Sequence, residues 1–260
     1  MLHYIAQGKG DKQIIFVHGN SQSSKVWAKV FNIDHLKSYK LIALDLPGHG
    51  KSLRSSKSEE DYSLHGMGNH VLNVLKEFEK QPYLLVGNSL GSNIIGEIAL
   101  RLKNCKGVLF TGSCAIGKGL GLEDIFLPNP DASFGFMEHL SEEQLNAMID
   151  ATGNNFGLDD RNLIKQEFRN TDGKMRLELA QAISGAKYSD ELQNLEDSKI
   201  PLAIVFGEDE KLCNISYFNN INLPKWKNEI KLIKNSGHFP HLDQPEALSN
   251  IINEFATHCF

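Results

Sequence analysis

Residues 83–91 read Tyr83-Leu84-Leu85-Val86-Gly87-Asn88-Ser89-Leu90-Gly91, an apolar run ending in a serine bracketed by glycines, and a helix-patterned stretch, 90–103, follows at once. The run suits a strand buried on both faces, as in a parallel sheet covered by helices. Small residues two before and two after the serine suit a sharp strand-to-helix turn, where neighbouring backbone passes too close for side chains. A serine presented there stands at the sheet edge, beside the free amides and positive dipole end of the helix that follows. Gly-x-Ser-x-Gly alone is common in turns; the strand before it and the helix after it give it meaning.

The same rhythm extends in both directions. Strand-like runs fall at 13–17, 40–44, 83–86, 107–111, 201–206 and 229–233, and helical patterns at 24–31, 63–80, 90–103 and 245–257. Alternation of this kind predicts an α/β fold, a mostly parallel twisted sheet flanked by helices. From about Ile116 to Glu196 the rhythm stops, and amphipathic segments such as 138–151 and 160–168 take over. The expected organisation is a core of 1–115 and 197–260 with a helical cap of 116–196, too long for a loop and placed to act as a mobile lid. Its Phe134, Phe136, Met137, Met148 and Phe156 could line an acyl pocket or form the cap's own core.

The chain has 260 residues, 41% hydrophobic and 23% charged, with a net charge of −5. That length buries roughly 70–75% of the unfolded surface, so no disulfide or metal is needed for folding. A mildly acidic surface gives no electrostatic reason to expect nucleic acid or an anionic membrane as partner. Cys105, Cys114, Cys213 and Cys259 lack the short pairing of a zinc or redox motif and read as reduced thiols. With no basic-then-apolar start and no long apolar run, a soluble cytoplasmic protein is expected.

Candidate chemistry gathers at strand ends. After the last strand comes Asn235-Ser236-Gly237-His238-Phe239-Pro240, where Gly237 frees the backbone to project His238 toward the edge that presents Ser89. His241, beyond Pro240 at the entry to the final helix, is the weaker candidate and is expected to face solvent or cap that helix. Phe206-Gly207-Glu208-Asp209-Glu210 supplies three acids after a strand. His18-Gly19-Asn20-Ser21 ends the first strong strand, so the backbone N–H groups of Asn20 and Leu90 can converge as an oxyanion hole. Gly50-Lys51-Ser52 ends like a phosphate-binding loop, but Asp45 occupies the place of its leading glycine and the motif fails.

Taken in order, the His18-Gly19-Asn20 loop, the turn at 45–52, the Ser89 turn, the acid loop at Gly207 and the Gly237-His238 loop resemble the α/β-hydrolase family along nearly the whole chain. The resemblance implies Ser89 as nucleophile, His238 as general base and an acid three positions after the strand-closing glycine. That acid is Glu210, with Asp209 as the alternative. Within the family, His18-Gly19-Asn20-Ser21, Tyr62-Ser63-Leu64, Phe110-Thr111-Gly112 and Arg169-Asn170-Thr171-Asp172-Gly173 resemble the serine-type N-acyl homoserine lactonases. Met148 stands near the place of the lid tyrosine with which those enzymes help bind the substrate carbonyl.

The activity implied is hydrolysis of a small-molecule carboxylic ester or lactone through an acyl-enzyme, without metal or cofactor. The ten histidines lack the His-x-His-x-Asp-His cluster of metal-dependent lactonases. Carbon–carbon bond hydrolysis, cofactor-free peroxidation and a non-catalytic ligand-binding role are the alternatives on the same scaffold.

Overall fold

Six apolar runs become six of the seven strands in the computed structural model, which describes residues 1–153, 156–219, 221 and 223–260. The strands are β1 (Tyr4–Gln7), β2 (Gln13–Val17), β3 (Lys40–Leu44), β4 (Tyr83–Asn88), β5 (Cys105–Thr111), β6 (Leu202–Gly207) and β7 (Ile230–Ile233). They form one sheet in the order β1-β3-β2-β4-β5-β6-β7. Every neighbouring pair is parallel except β1 with β3. Strand β1 escapes the sequence reading because three of its four residues are exposed, leaving no apolar run to detect.

Each residue of β2, β4 and β6 is buried, as expected for strands covered on both faces. Alternate residues serve opposite sides: Ile15 and Val17 join one hydrophobic cluster, Ile14 and Phe16 the other. Helices α1 (Leu64–Leu75) and α2 (Leu90–Ile98) supply the first cluster, and the C-terminal helix, Pro245–Cys259, supplies the second. Helix α1 ends five residues before the 63–80 expectation, in turns after Leu75. Among the described residues, no helix is long and apolar enough to cross a membrane.

Between β5 and β6 lie α3 (Glu142–Thr152), α4 (Leu158–Asn170), α5 (Gly173–Ser184) and α6 (Glu191–Ser198), with the C-terminal helix as α7. Residues 154 and 155 of this insertion lie outside the described residues. Helix α3 starts later than 138–151 implies, because Ser141 Oγ accepts from the Gln144 N–H and Gln144 Oε1 accepts in turn from the Ser141 N–H.

His241 corrects an expectation. It neither faces solvent nor caps α7: it is fully buried, its ring tilted against Trp27 with centroids 4.6 Å apart, and neither ring nitrogen has a partner among the described residues. Pro240 starts a separate helical turn, Pro240–Asp243, that carries the ring inward before α7 begins. Burial, aided by the nearby His238, His18 and Lys29 charges, pushes its pKa down to about 3. The neutral ring therefore contributes stability above the ordinary histidine value. As pH falls below that value, the unfolded chain takes a proton that the fold refuses, until about pH 3. Urea unfolding at pH 7 and pH 5 is expected to show wild type losing roughly 2 kcal/mol more than His241→Leu. Equal losses would show that His241 does not set this slope.

Candidate active site

At the end of β4 the chain turns so sharply that Ser89 adopts φ 48°, ψ −117°, a left-handed region seldom used by side-chain-bearing residues. The flanking glycines make the turn possible. A Cβ on Gly91 would sit 2.3 Å from the Val17 carbonyl oxygen, and one on Gly87 would sit 2.8 Å from the Ser92 nitrogen. Ser89 donates its backbone N–H to Thr111 O at 3.0 Å, tying the turn to the end of β5. Buried Asn88 extends the tie: its Nδ2 donates to Thr111 O, Thr111 Oγ1 and His238 O at 3.0–3.2 Å.

His238 arrives on the loop after β7 and donates its backbone N–H to Thr152 O of α3 at 2.8 Å. The preceding amide, Gly237 N–H, donates to Asp243 Oδ2 at 2.8 Å. The imidazole Nδ1 meets Glu210 Oε2 at 2.9 Å, with both side chains buried. Glu210 Oε1 also accepts from the amides of Leu212 and Cys213 at 2.8 and 3.2 Å, which fixes the carboxylate. Asp209 is exposed and meets the histidine loop only through its backbone N–H, which donates to Ser236 O. Of the two acids, the structure brings Glu210 to His238.

Burial works against an imidazolium at His238, but attraction to the Glu210 carboxylate and the hydrogen bond to it outweigh that cost. The His238 pKa ends above the ordinary histidine value. Glu210 shows the converse: burial raises it, while His238 and the two amides bring it below the usual carboxylate range. Ser89 Oγ lies 3.8 Å from Cys114 Sγ, and among the described residues no hydrogen bond joins it to His238. Such contacts often tighten only when substrate is bound.

Two neutral histidines hold the loop after β2. His18 Nδ1 donates to Gly19 O and its Nε2 accepts from Leu46 N–H, while His49 donates to Pro47 O and accepts from Ser21 N–H. Burial keeps both pKa values below the ordinary value. The Asn20 and Leu90 amides have no acceptor among the described residues, and both residues border the same cavity as Ser89 and His238. Asp45 accepts from the amides of Ser24 and Lys51, so the phosphate-loop look-alike is a structural turn.

The cavity holds about 410 Å³. Among the described residues its wall contains no Lys, Arg, Asp or Glu. Phe136 and Met148 of the expected cap residues line it, whereas Phe134 and Phe156 pack into a core cluster and Met137 is exposed. Sequence reading missed Arg176, a buried guanidinium on α5 that donates to Met137 O, Glu138 O, Phe168 O and Ser21 Oγ. Burial lowers its pKa to about 10, and it links the insertion to the Asn20 loop. No local motif signals such a residue, since its partners lie 8 to 155 positions away.

Known proteins place this arrangement in context. The profile of the alpha/beta hydrolase family matches residues 14–251. The chain is 26% identical over 218 residues to the dihydrolipoyllysine-residue acetyltransferase component of the acetoin cleaving system of Cupriavidus necator, covering 81% of this chain and 55% of that one. It thus spans about half the length of that relative. It is 23% identical over 270 residues to a 2-hydroxy-6-oxononadienedioate/2-hydroxy-6-oxononatrienedioate hydrolase of Burkholderia vietnamiensis, covering 98% and 90%. Among solved structures, the N-acyl homoserine lactonase AidH complexed with N-butanoyl homoserine matches with a TM-score of 0.90 at 23% identity, covering 99% and 93%. The family match runs from Ile14 in β2 through β7, six of the seven strands, and takes in every loop that borders the site: the chain belongs to the alpha/beta hydrolase family.

Proposed function

We propose that the protein is a serine hydrolase of uncharged carboxylic esters or lactones, working through an acyl-enzyme on Ser89. The observation that carries this reading is the Glu210–His238 contact at 2.9 Å, beside a strained Ser89, at the wall of one apolar cavity. Glu210 accepts a hydrogen bond from the His238 Nδ1–H, which leaves Nε2 as the basic nitrogen. His238 takes the Ser89 hydroxyl proton as Oγ attacks the carbonyl, and the Asn20 and Leu90 amides stabilise the oxyanion. The imidazolium returns its proton to the leaving alcohol, and a water activated by His238 then frees the acid.

Substrate class follows from the wall. An anionic substrate entering this largely apolar cavity would lose hydration with no Lys or Arg among the described wall residues to pair with it. The dioate named for the Burkholderia relative is of that kind, so the cavity favours the ester and lactone reading over carbon–carbon cleavage of dicarboxylates. The insertion helices α3, α4 and α5 contribute Met148, Ile164 and Leu179 to the wall, which supports a cap role for 116–196.

A panel of a p-nitrophenyl ester, a neutral N-acyl homoserine lactone and an aryl ester bearing a free carboxylate tests this directly. Neutral substrates are expected to turn over at least about tenfold faster than the carboxylate, one desolvated charge being worth more than 1.4 kcal/mol. Preference for the carboxylate would refute the assignment. Because a base must be neutral, kcat/KM is expected to rise with pH through a midpoint above the ordinary histidine value.

A further inference from the structure

Two thiols that look unrelated in sequence meet at the back of the site. Cys213 Sγ lies 4.0 Å from His238 Nδ1, and Cys114 Sγ lies 3.8 Å from Ser89 Oγ. Cys114 Sγ donates to Asn93 Oδ1 at 3.5 Å and Cys213 Sγ to Gly112 O at 3.6 Å, and the two thiols are near enough to influence each other's ionisation. One donor atom each from Glu210, Cys213 and His238 falls within 4.8 Å of the others, all three buried. The proposed hydrolysis uses neither sulfur.

We propose that Glu210, Cys213 and His238, with Cys114 as fourth donor, form a binding site for a soft divalent cation of the zinc class, and that its occupancy blocks catalysis. A tetrahedral zinc ion, with bonds of about 2.0–2.3 Å, separates its nitrogen, oxygen and sulfur ligands by roughly 3.3–3.8 Å. The Nδ1–Oε2 contact of 2.9 Å lies below that spacing and the Nδ1–Sγ contact of 4.0 Å above it, so binding opens the first and closes the second, while Cys114, outside the three-residue cluster, moves in to complete the set. Two sulfurs and an imidazole select zinc or cadmium over magnesium or calcium.

Cys114 borders the cavity, which provides the way in. On binding, both thiols release their protons to solvent, and the dication is held by two thiolates, a carboxylate and a neutral imidazole. His238 Nδ1 then bonds metal instead of Glu210, and the base loses its orienting partner. Blockade rests on the catalytic reading of Ser89 and His238; binding does not.

The other two cysteines provide an internal control, because Cys105 sits at the opposite end of β5 from Thr111 and Cys259 lies beside Gly107. Cadmium chloride titration of the full chain, followed by the ultraviolet thiolate-to-metal absorption band, tests the site. Wild type and the Cys105→Ser/Cys259→Ser double variant are expected to saturate at one equivalent, and a chelator to erase the band. Cys213→Ser, checked for folding by circular dichroism, should weaken binding beyond the roughly 10- to 100-fold typical of losing an outer-shell partner.

Cys114→Ser should weaken it as well and serves if Cys213→Ser does not fold. A band that survives both single substitutions, or vanishes in the double variant, overturns the site. Ester hydrolysis measured in parallel should fall in proportion to the band, and full activity at saturation overturns the blockade. If the protein hydrolyses no ester at all, the absorption titration still decides the site by itself.

Discussion

Ser89→Ala is expected to lower kcat on a p-nitrophenyl ester by roughly five to six orders of magnitude, the scale on which removal of a nucleophile in such a site acts. The fold should survive, because among the described residues the 3.8 Å approach to Cys114 Sγ is the Ser89 hydroxyl's only polar contact, while its backbone holds the turn. Ser89→Gly separates the two roles further. Glycine adopts φ 48°, ψ −117° without the strain a side chain brings, and strain of this kind costs about 1–3 kcal/mol. The glycine variant should therefore be inactive yet more stable than Ser89→Ala, with a higher Tm. An active Ser89→Ala would remove Ser89 from the mechanism. A Ser89→Gly variant less stable than Ser89→Ala would show that the turn stores no strain.

The second large effect separates neighbouring acids. Glu210→Gln is expected to lower kcat by roughly 10³–10⁴-fold, because an amide in that position no longer stabilises the imidazolium or fixes the productive tautomer. Asp209→Asn should change kcat by less than about threefold, its side chain being exposed and away from His238. The pH profile gives a separate signature. Attraction to Glu210 raises the His238 pKa, so the Gln variant should shift the midpoint of kcat/KM downward. A reversed ranking of the two variants would assign the acid to Asp209 and leave the 2.9 Å contact as structural support only.

Much of this was legible because it is local. The strand-turn-helix pattern around Ser89 and the apolar runs of β2, β4 and β6 depend on residues within a few positions of one another, and backbone sterics translate them directly. The position of Glu210 needed more than composition, since three acids follow β6 and only the amides of Leu212 and Cys213 settle which carboxylate turns inward. Strand β1 was missed because an edge strand needs little apolar surface.

His241 was misplaced because a buried histidine with unpartnered nitrogens leaves no mark in the sequence, and Pro240 suggested only the start of a helix. The contacts of Arg176 with Ser21 and of Cys114 with Cys213 join segments about 100 or more residues apart. Long-range contacts of this kind follow from sheet order, which no single stretch encodes.

The most direct test of the central claim is to trap the acyl-enzyme. The protein is mixed with a p-nitrophenyl ester at low pH, where His238 is charged and deacylation is slow, and is digested and mapped by mass spectrometry. The account predicts one acyl group, on the peptide containing Ser89, which disappears in Ser89→Ala. An acyl group on Cys114, 3.8 Å from Ser89 Oγ, or steady turnover with Ser89 never modified, would contradict it.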